Sequence, residues 1–229
     1  MMRSLRFLIC VLLIFPCVSQ AGAQSARTNP VLKDRMDSLS YSLGINLGKN
    51  LQTSGISEVD PGILSSALMQ VLNGQNGTMT SAEATRFIDQ YVRNLQRARS
   101  EANRRAGLKF LEQNRTREGV VVRPSGLQYK VIRQGKGPRP NLSDQVTVHY
   151  HGTLVDGTVF DSTLERGVPI QCYVNDVILG WMEALLQMNV GSKWMLYIPS
   201  DLAYGSSSKV GLVEPNSTLI FEMELLDIN

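Results

Sequence analysis

The chain has 229 residues, of which 43% are hydrophobic and 19% charged, with 23 Lys and Arg against 20 Asp and Glu. This is the composition of a globular protein, and it excludes collagen-like, low-complexity and wholly disordered chains. The length allows one large domain or two small ones.

The first 23 residues have the pattern of an export signal. Arg3 and Arg6 precede an apolar stretch from Phe7 to Val18, and Ala21-Gly22-Ala23 is typical of a cleavage site. We therefore expect a signal peptide at residues 1–23 and a mature chain from Gln24. The apolar stretch is too short to span a bilayer, so no transmembrane segment is expected in the mature chain.

Lipidation at Cys17 is the alternative to cleavage after Ala23. Phe15 and Pro16 stand where a lipoprotein signal needs small residues, which disfavours it. We expect the protein to be exported to the periplasm, with outer-membrane association left open.

Cleavage would also change the charge and the cysteine content. Residues 1–23 contain two arginines and no acidic residue, so the net charge falls from +3 to +1. A nearly neutral chain gives no electrostatic reason to expect nucleic acid as a partner. Cys172 would be the only remaining thiol, so no internal disulfide is expected.

From Leu32 to about Asn114, apolar residues recur at spacings of three and four, which predicts helices. Three leucines lie one turn apart, at Leu39, Leu43 and Leu47. Gly44 and Gly48 make one face of this helix thin, although glycine costs about 1 kcal/mol in a helix interior. The expected compensation is the close approach of another helix; a weak, frayed helix is the alternative.

Two further helices have start signals. Asp60-Pro61 is typical of a helix N-terminus, and that helix should end near Asn73-Gly74. Thr80 to Glu83 has the spacing of a capping box, and no proline follows before Asn114, which predicts a helix about 50 Å long. Its second half is polar on most faces, so we expect it to stand in solvent between two bodies. A nucleic-acid arm is the alternative interpretation, which the interleaved acidic residues disfavour.

After Gly119 the apolar pattern changes to a period of two. Residues 146–150, 194–198 and 218–224 alternate as strands do. Between them, Gly180 to Met188 predicts one short amphipathic helix with Trp181, Leu185 and Met188 facing inward. The change of pattern indicates a boundary between a helical half and a sheet-rich half near residues 117–123.

The residues offer little for covalent, metal or nucleotide chemistry. His149 and His151 share one strand face, but no carboxylate or cysteine stands at a spacing that completes a metal site. A dyad of Cys172 and His149 has no more support. Gly135-Lys136-Gly137 is not a phosphate loop, because prolines follow where a helix must begin. We expect no cofactor and no metal.

Five motifs carry a resemblance to a known family. They are Val146 to Tyr150, Asp156 to Thr163, Val177 to Trp181, Ala203 to Gly205 and Thr218 to Phe221. In this order they closely resemble the FK506-binding-protein (FKBP) type of peptidyl-prolyl cis-trans isomerase.

The resemblance also extends to the helical half. Tyr41 to Gly48 and Gly119 to Tyr129 resemble the two-domain periplasmic members of the macrophage-infectivity-potentiator group. What this implies is an α+β protein: an all-helical N-terminal dimerisation module at residues 24–118 that ends in a long linker helix, then an isomerase domain at residues 119–229. The latter would be a twisted antiparallel β-sheet wrapped around one short α-helix.

The resemblance further implies a set of site residues. In the family, the groups that match Asp161, Tyr204 and the backbone N–H of Ile178 are catalytic: the carboxylate sits beside the twisting bond, and the two donors hydrogen-bond to substrate carbonyls. By motif match, five further residues would bind the substrate, namely Tyr150, Phe160, Val177, Trp181 and Phe221, with Val213 on the flanking loop.

The implied activity is isomerisation of Xaa-Pro bonds while exported proteins fold, with a twisted amide held in an aromatic pocket and no bond made or broken. The implied partners are unfolded or proline-containing exported polypeptides, a second copy of the chain bound through the N-terminal helices, and an FK506-like macrolide inhibitor. A holdase chaperone with little or no isomerase activity is the alternative function.

Three residues depart from the family pattern. Cys172 stands where an aromatic residue is usual, Lys209 replaces a common histidine, and Glu214 occupies a position that is usually proline or glycine. We expect altered substrate preference and weaker macrolide binding, with catalysis retained.

Overall fold

The computed structural model describes residues 29–206 and 211–229. The predicted signal peptide, the lipidation alternative at Cys17 and the departure at Lys209 lie outside the described residues. The chain forms two compact units, one ending at Lys49 and one comprising Asn50–Asn229. The domain boundary between residues 118 and 119 stays a prediction.

Three helices come first in the chain, as predicted: α1 (Arg35–Thr53), α2 (Pro61–Leu72) and α3 (Ser81–Asn114). The Asp60 side chain accepts a hydrogen bond from the N–H of Ile63, and Pro61 occupies the first turn of α2. Thr80 and Glu83 form a reciprocal capping box at the start of α3. Both predicted helix starts are therefore confirmed. No helix within the described ranges is long and apolar enough to cross a membrane.

The second half of α3 does not stand free in solvent, and that prediction is wrong. Gly107, Leu111 and Asn114 are buried. Asn114 Nδ2 donates to Gln128 Oε1 at 2.9 Å, and Gln128 Nε2 donates to the carbonyl of Leu111 at 3.0 Å. These few inward positions dock the helix, although most of its other positions are polar and exposed.

The rest of the chain is an antiparallel sheet of seven strands: β1 (Val120–Val122), β2 (Gln128–Arg133), β3 (Gln145–Leu154), β4 (Val159–Ser162), β5 (Ile170–Tyr173), β6 (Lys193–Ile198) and β7 (Leu219–Ile228). The strand order is β1-β2-β6-β7-β3-β4, and β5 also pairs with β3. Along β3, β6 and β7 buried residues alternate with partly exposed ones, which confirms the three predicted strands.

The described part of this half also contains two short α-helices, α4 (Thr163–Arg166) and α5 (Leu179–Leu185), and two 3-10 helices at Val174–Asp176 and Ser200–Leu202. On and just after α5, Trp181, Leu185 and Met188 are all buried, which confirms the predicted inward face. A Cβ added at Gly180 would lie 2.5 Å from Cγ2 of Ile198 on β6. Only glycine lets the helix approach this strand so closely.

Candidate active site

Four aromatic rings meet where β3, β4, β7 and α5 converge. Phe221 lies at the centre, with ring centroids 5.0 Å from Trp181, 5.4 Å from Phe160 and 6.0 Å from Tyr150, each pair edge to face. Tyr150 also meets Trp181 at 4.9 Å. Edge-to-face packing is a favourable geometry for such rings. The rings therefore form one packed apolar cluster, in which Tyr150, Trp181 and Phe221 are buried and Phe160 is partly exposed.

The strand register brings the rings together. On β3 and β7, Gly152 pairs with Phe221 and Tyr150 pairs with Met223. Gly152 leaves room for the rings, because a Cβ there would lie 2.7 Å from Cζ of Phe160 and 3.0 Å from Cε1 of Phe221. A side chain at this position would displace both phenylalanines.

A polar network borders the rings. The Tyr150 hydroxyl donates to Oδ2 of Asp161, and the Arg166 guanidinium donates to Oδ1 of the same carboxylate. Arg166 also donates to the Tyr150 hydroxyl at 3.3 Å and lies 5.9 Å from the centre of that ring. Both carboxylate oxygens of Asp161 are thereby fixed in place.

Burial and hydrogen bonding determine the ionisation of these groups. Burial raises the pKa of Asp161, but the hydrogen bonds from Tyr150 and Arg166 outweigh it, and the pKa lies below its usual value. Burial, followed by the hydrogen bond to Asp161, raises the pKa of Tyr150. At neutral pH the site therefore holds a carboxylate beside a neutral phenol.

Helix α5 positions the next group of predicted residues. Trp181 lies in its first turn and is only 6% exposed. Ile178 is the N-cap residue, whose carbonyl accepts from the N–H groups of Trp181 and Met182. Its own N–H precedes the helical ladder, so the helix does not use it. Val177 and Ile178 are half-buried and pack on the core that contains the rings.

The remaining wall comes from two irregular segments. Tyr204 is half-buried and packs on the same core, and Val213 is buried within it. Burial, and then the negative charge of Asp161, raise the pKa of Tyr204, so its hydroxyl stays protonated at neutral pH. All nine predicted site residues thus belong to one core or, for Asp161, hydrogen-bond to it.

Arg166 is a residue of the site that the sequence did not predict. It lies five residues after Asp161, at the end of α4, a one-turn helix that no apolar periodicity announced. A basic residue shortly after Asp161 was the only available signal.

The two histidines make other contacts. His149 Nδ1 lies 2.9 Å from Thr163 Oγ1, and His151 Nδ1 lies 3.0 Å from Ser162 Oγ. Among the residues that the structure describes, no three His, Cys, Asp or Glu side chains are grouped so that they could hold a metal ion. Cys172 is half-buried on β5, where burial raises the pKa of its thiol.

A sheet with a helix packed on one face and a cluster of aromatic rings beside it points to the class of protein. Residues 137–226 match the FKBP-type peptidyl-prolyl cis-trans isomerase domain, and residues 36–131 match the domain amino terminal to FKBP-type peptidyl-prolyl isomerase. The chain belongs to this isomerase family, as its motifs predicted, and it is a peptidyl-prolyl isomerase.

Similar proteins cover nearly the whole chain. It is 40% identical to the outer membrane protein MIP of Legionella longbeachae, over 92% of this chain and 93% of the relative. It is 42% identical to the FKBP-type 22 kDa peptidyl-prolyl cis-trans isomerase of Escherichia coli K12, over 88% and 99%. The crystal structure of FkpA from Escherichia coli superimposes with a TM-score of 0.70 at 31% identity, covering 87% of this chain and 99% of FkpA.

Proposed function

We propose that the hollow formed by Tyr150, Phe160, Trp181 and Phe221 receives the proline ring of a polypeptide and favours the twisted form of the preceding amide. The edge-to-face ring cluster supports this assignment above all else. Turning a peptide bond through its twisted state costs about 18 to 20 kcal/mol, because amide resonance is lost. No covalent bond breaks, so the reaction needs no nucleophile and no metal.

The apolar surface acts through hydration. Water stabilises the planar amide, whose resonance separates charge between oxygen and nitrogen. A twisted amide has less charge separation, so it loses less hydration on entering an apolar hollow. The pocket therefore binds the transition state better than either planar isomer, which is the condition for catalysis.

Three polar groups complete the proposed site. The N–H of Ile178 and the hydroxyl of Tyr204 donate to substrate carbonyls and so orient the peptide. The Asp161 carboxylate lies beside the rotating bond and disfavours the planar form, whose carbonyl oxygen carries more negative charge. The bonds from Tyr150 and Arg166 hold that carboxylate in position, so it needs no reorganisation during the reaction.

A protease-coupled assay on a proline peptide tests these roles. Asp161→Ala and Tyr204→Phe should each lower kcat/KM about tenfold or more, the scale of a lost hydrogen bond to a charged or charge-developing group. Tyr197→Phe is the matched control: Tyr197 is a half-buried tyrosine whose ring packs on Phe110, 5.8 Å away, and it has no part in the ring cluster. Full activity in the double variant Asp161→Ala, Tyr204→Phe would contradict the assignment.

The same double variant separates isomerase from holdase. If the protein acts only by gripping apolar segments, the variant will suppress aggregation of an unfolded client as well as the wild type does. In that case neither the wild type nor the variant will show isomerase activity. Wild-type acceleration of proline-limited refolding, absent in the variant, supports the isomerase.

We further propose that the chain is a homodimer joined through its N-terminal helices. No residue of α1 or α2 is buried, although both helices carry many apolar side chains. Leu43 on α1 is 62% exposed and Ile63 on α2 is 71% exposed. Apolar surface of this kind marks an interaction site.

Two glycines of α1 allow a direct test. A Cβ added at Gly44 or Gly48 meets no atom of the described chain within 4 Å. In a monomer, the Gly44→Ala, Gly48→Ala variant should therefore stabilise α1, by about 1 kcal/mol for each glycine. If a second copy approaches this face, the variant should instead dissociate at a higher protein concentration in light scattering. A monomer mass for the wild type at micromolar concentration would overturn the dimer.

The clients proposed are unfolded exported polypeptides that contain proline. Uncatalysed isomerisation takes tens to hundreds of seconds, which is slow enough to delay folding outside the cytoplasm. The basic, apolar and small-residue pattern of residues 1–23 supports export to the periplasm, and the name of the Legionella relative supports an outer-membrane association.

FK506-like macrolides are proposed to bind weakly, because Cys172 makes one wall of the pocket shallow. Tight inhibition by FK506 would contradict this.

A further inference from the structure

The second half of α3 contacts the segment that leads from the pocket wall into β7. Asn103 Nδ2 donates to the carbonyl of Pro215 at 3.1 Å, and Asn216 Nδ2 donates to Ser100 Oγ at 2.8 Å. A Cβ added at Gly107 would lie 2.2 Å from Thr218 Oγ1. Positions 100, 103 and 107 share one helix face, so one stripe of α3 follows this segment.

Asn216 connects that stripe to the site. Its backbone N–H donates to the carbonyl of Gly205 at 2.9 Å, and Gly205 directly follows Tyr204. Its φ of +60° makes it the one residue other than glycine with positive φ in the described parts of the chain. Backbone in this region persists where surrounding contacts hold it. The hydrogen bonds to Ser100 and Gly205 are two such contacts.

A second contact reaches the same segment through Glu214, one of the departures from the family pattern. Arg99 Nη1 lies 3.6 Å from Glu214 Oε1, and Arg99 Nη2 donates to the carbonyl of Gly55 at 2.8 Å. Both side chains of the ion pair are partly exposed, so its own contribution is small. The ion pair nevertheless links α3 to Glu214, the residue that directly follows Val213.

We infer that α3 is a positioning element of the isomerase site: Ser100 and Asn103 hold Asn216 and Pro215, and these hold the backbone beside Tyr204 and the segment that carries Val213. Tyr204 lies on no strand and Val213 forms only an isolated bridge, so the continuous ladder of backbone hydrogen bonds gives these two residues little restraint. The side chains of α3 supply that restraint. This inference rests on the role proposed above for the Tyr204 hydroxyl.

The test uses the full-length chain with Ser100→Ala and Asn103→Ala, singly and together. Each change removes one hydrogen bond, and each should lower kcat/KM between about two- and fivefold, with the losses compounding in the double variant. Ser100→Thr keeps the hydroxyl, so its kcat/KM should stay close to the wild-type value, unlike that of Ser100→Ala. Arg104→Ala is the control on the same helix, since Arg104 pairs with Glu101 at 3.1 Å and has no bond to the segment.

Amide hydrogen exchange gives a readout that general destabilisation would not produce. In the double variant the N–H of Asn216 should exchange faster, while amides in the middle of β3 keep their wild-type rates. Peptides with a large and a small residue before proline should also lose kcat/KM by different factors, because the Val213 wall shifts.

Two results would overturn the inference: wild-type kcat/KM for both peptides in the double variant, or faster exchange throughout β3 together with equal loss on both peptides. Tyr204→Phe separates this inference from the proposed site. Full activity in Tyr204→Phe would rule out the proposed role of that hydroxyl, whatever the α3 variants show. If Tyr204→Phe is inactive but the double variant Ser100→Ala, Asn103→Ala is fully active, only the proposed role of α3 is ruled out.

Discussion

Gly152→Ala should damage the proposed pocket more than it damages the fold. The new Cβ would lie 2.7 Å from Cζ and 3.0 Å from Cε2 of Phe160, and 3.0 Å from Cε1 of Phe221. Carbon atoms pack best at about 3.5 to 4.0 Å. Both rings must therefore withdraw by about 0.5 to 1.3 Å, since the β3 backbone is held by neighbours on both sides.

The effects on stability and on activity have different sizes. Overpacking a core costs about 1 to 3 kcal/mol, whereas replacing glycine within a strand returns about 0.5 to 1 kcal/mol of backbone entropy. The free energy of unfolding should fall by about 0 to 2.5 kcal/mol. A displacement near 1 Å at a reacting group can cost about a hundredfold in rate, so kcat/KM should fall at least about tenfold.

Gly137→Ala separates the two effects. Its Cβ would lie 2.7 Å from Cβ of Val190, a similar overlap, but no ring of the cluster is among its nearest neighbours. Thermal unfolding by circular dichroism should show comparable losses in both variants, while the protease-coupled assay should show a loss only in Gly152→Ala. If Gly152→Ala is destabilised and yet keeps wild-type kcat/KM, the rings of Phe160 and Phe221 do not bound the substrate.

Three further changes have expected outcomes. Hydrogen bonds from Tyr150 and Arg166 outweigh burial and hold the pKa of Asp161 below its usual value. Asp161→Asn should therefore destabilise the protein at pH 6, and the difference should shrink as pH falls through that lowered pKa. A difference in urea unfolding that does not shrink as pH falls from 6 would contradict this. Arg166→Leu removes one of these bonds, so the acid limb of the pH–kcat/KM profile should move to higher pH; an unmoved limb would show that Arg166 does not set it. Thr80→Ala removes the capping box of α3 and should cost about 1 kcal/mol in urea unfolding, with no change in kcat/KM.

The elements that the sequence predicted are those with local causes. Asp60 and Thr80 cap their helices through bonds to residues three positions away. The three predicted strands are those in which apolar side chains alternate along most of their length. Strands β1, β4 and β5 have only three or four residues, too few for a period of two to stand out, and pairing with β2 and β3 defines them.

The candidate site shows the same contrast between residues that a local pattern predicts and contacts that it does not. The family resemblance named all nine residues, but the contacts between them depend on strand pairing that no local pattern specifies, such as Gly152 opposite Phe221. The docking of α3 was missed because its evidence is spread over long distances. Asn103 bonds to Pro215, which lies 112 residues further along the chain. In the sequence, the amide side chain of Asn103 on a polar helix cannot be distinguished from one that is simply exposed to solvent.

A catalyst that breaks no bond works only through the placement of its groups. Trp181, Tyr150 and Phe221 are placed by the core itself, because each is buried and touches the other two. Tyr204 lies on no strand and Val213 forms only an isolated bridge, and the backbone N–H of Asn216 donates to the carbonyl of Gly205, which directly follows Tyr204. Asn216 in turn donates to Ser100 on α3. If α3 positions the proposed site, removing the helical half should therefore change the geometry of the pocket as well as any assembly through α1 and α2.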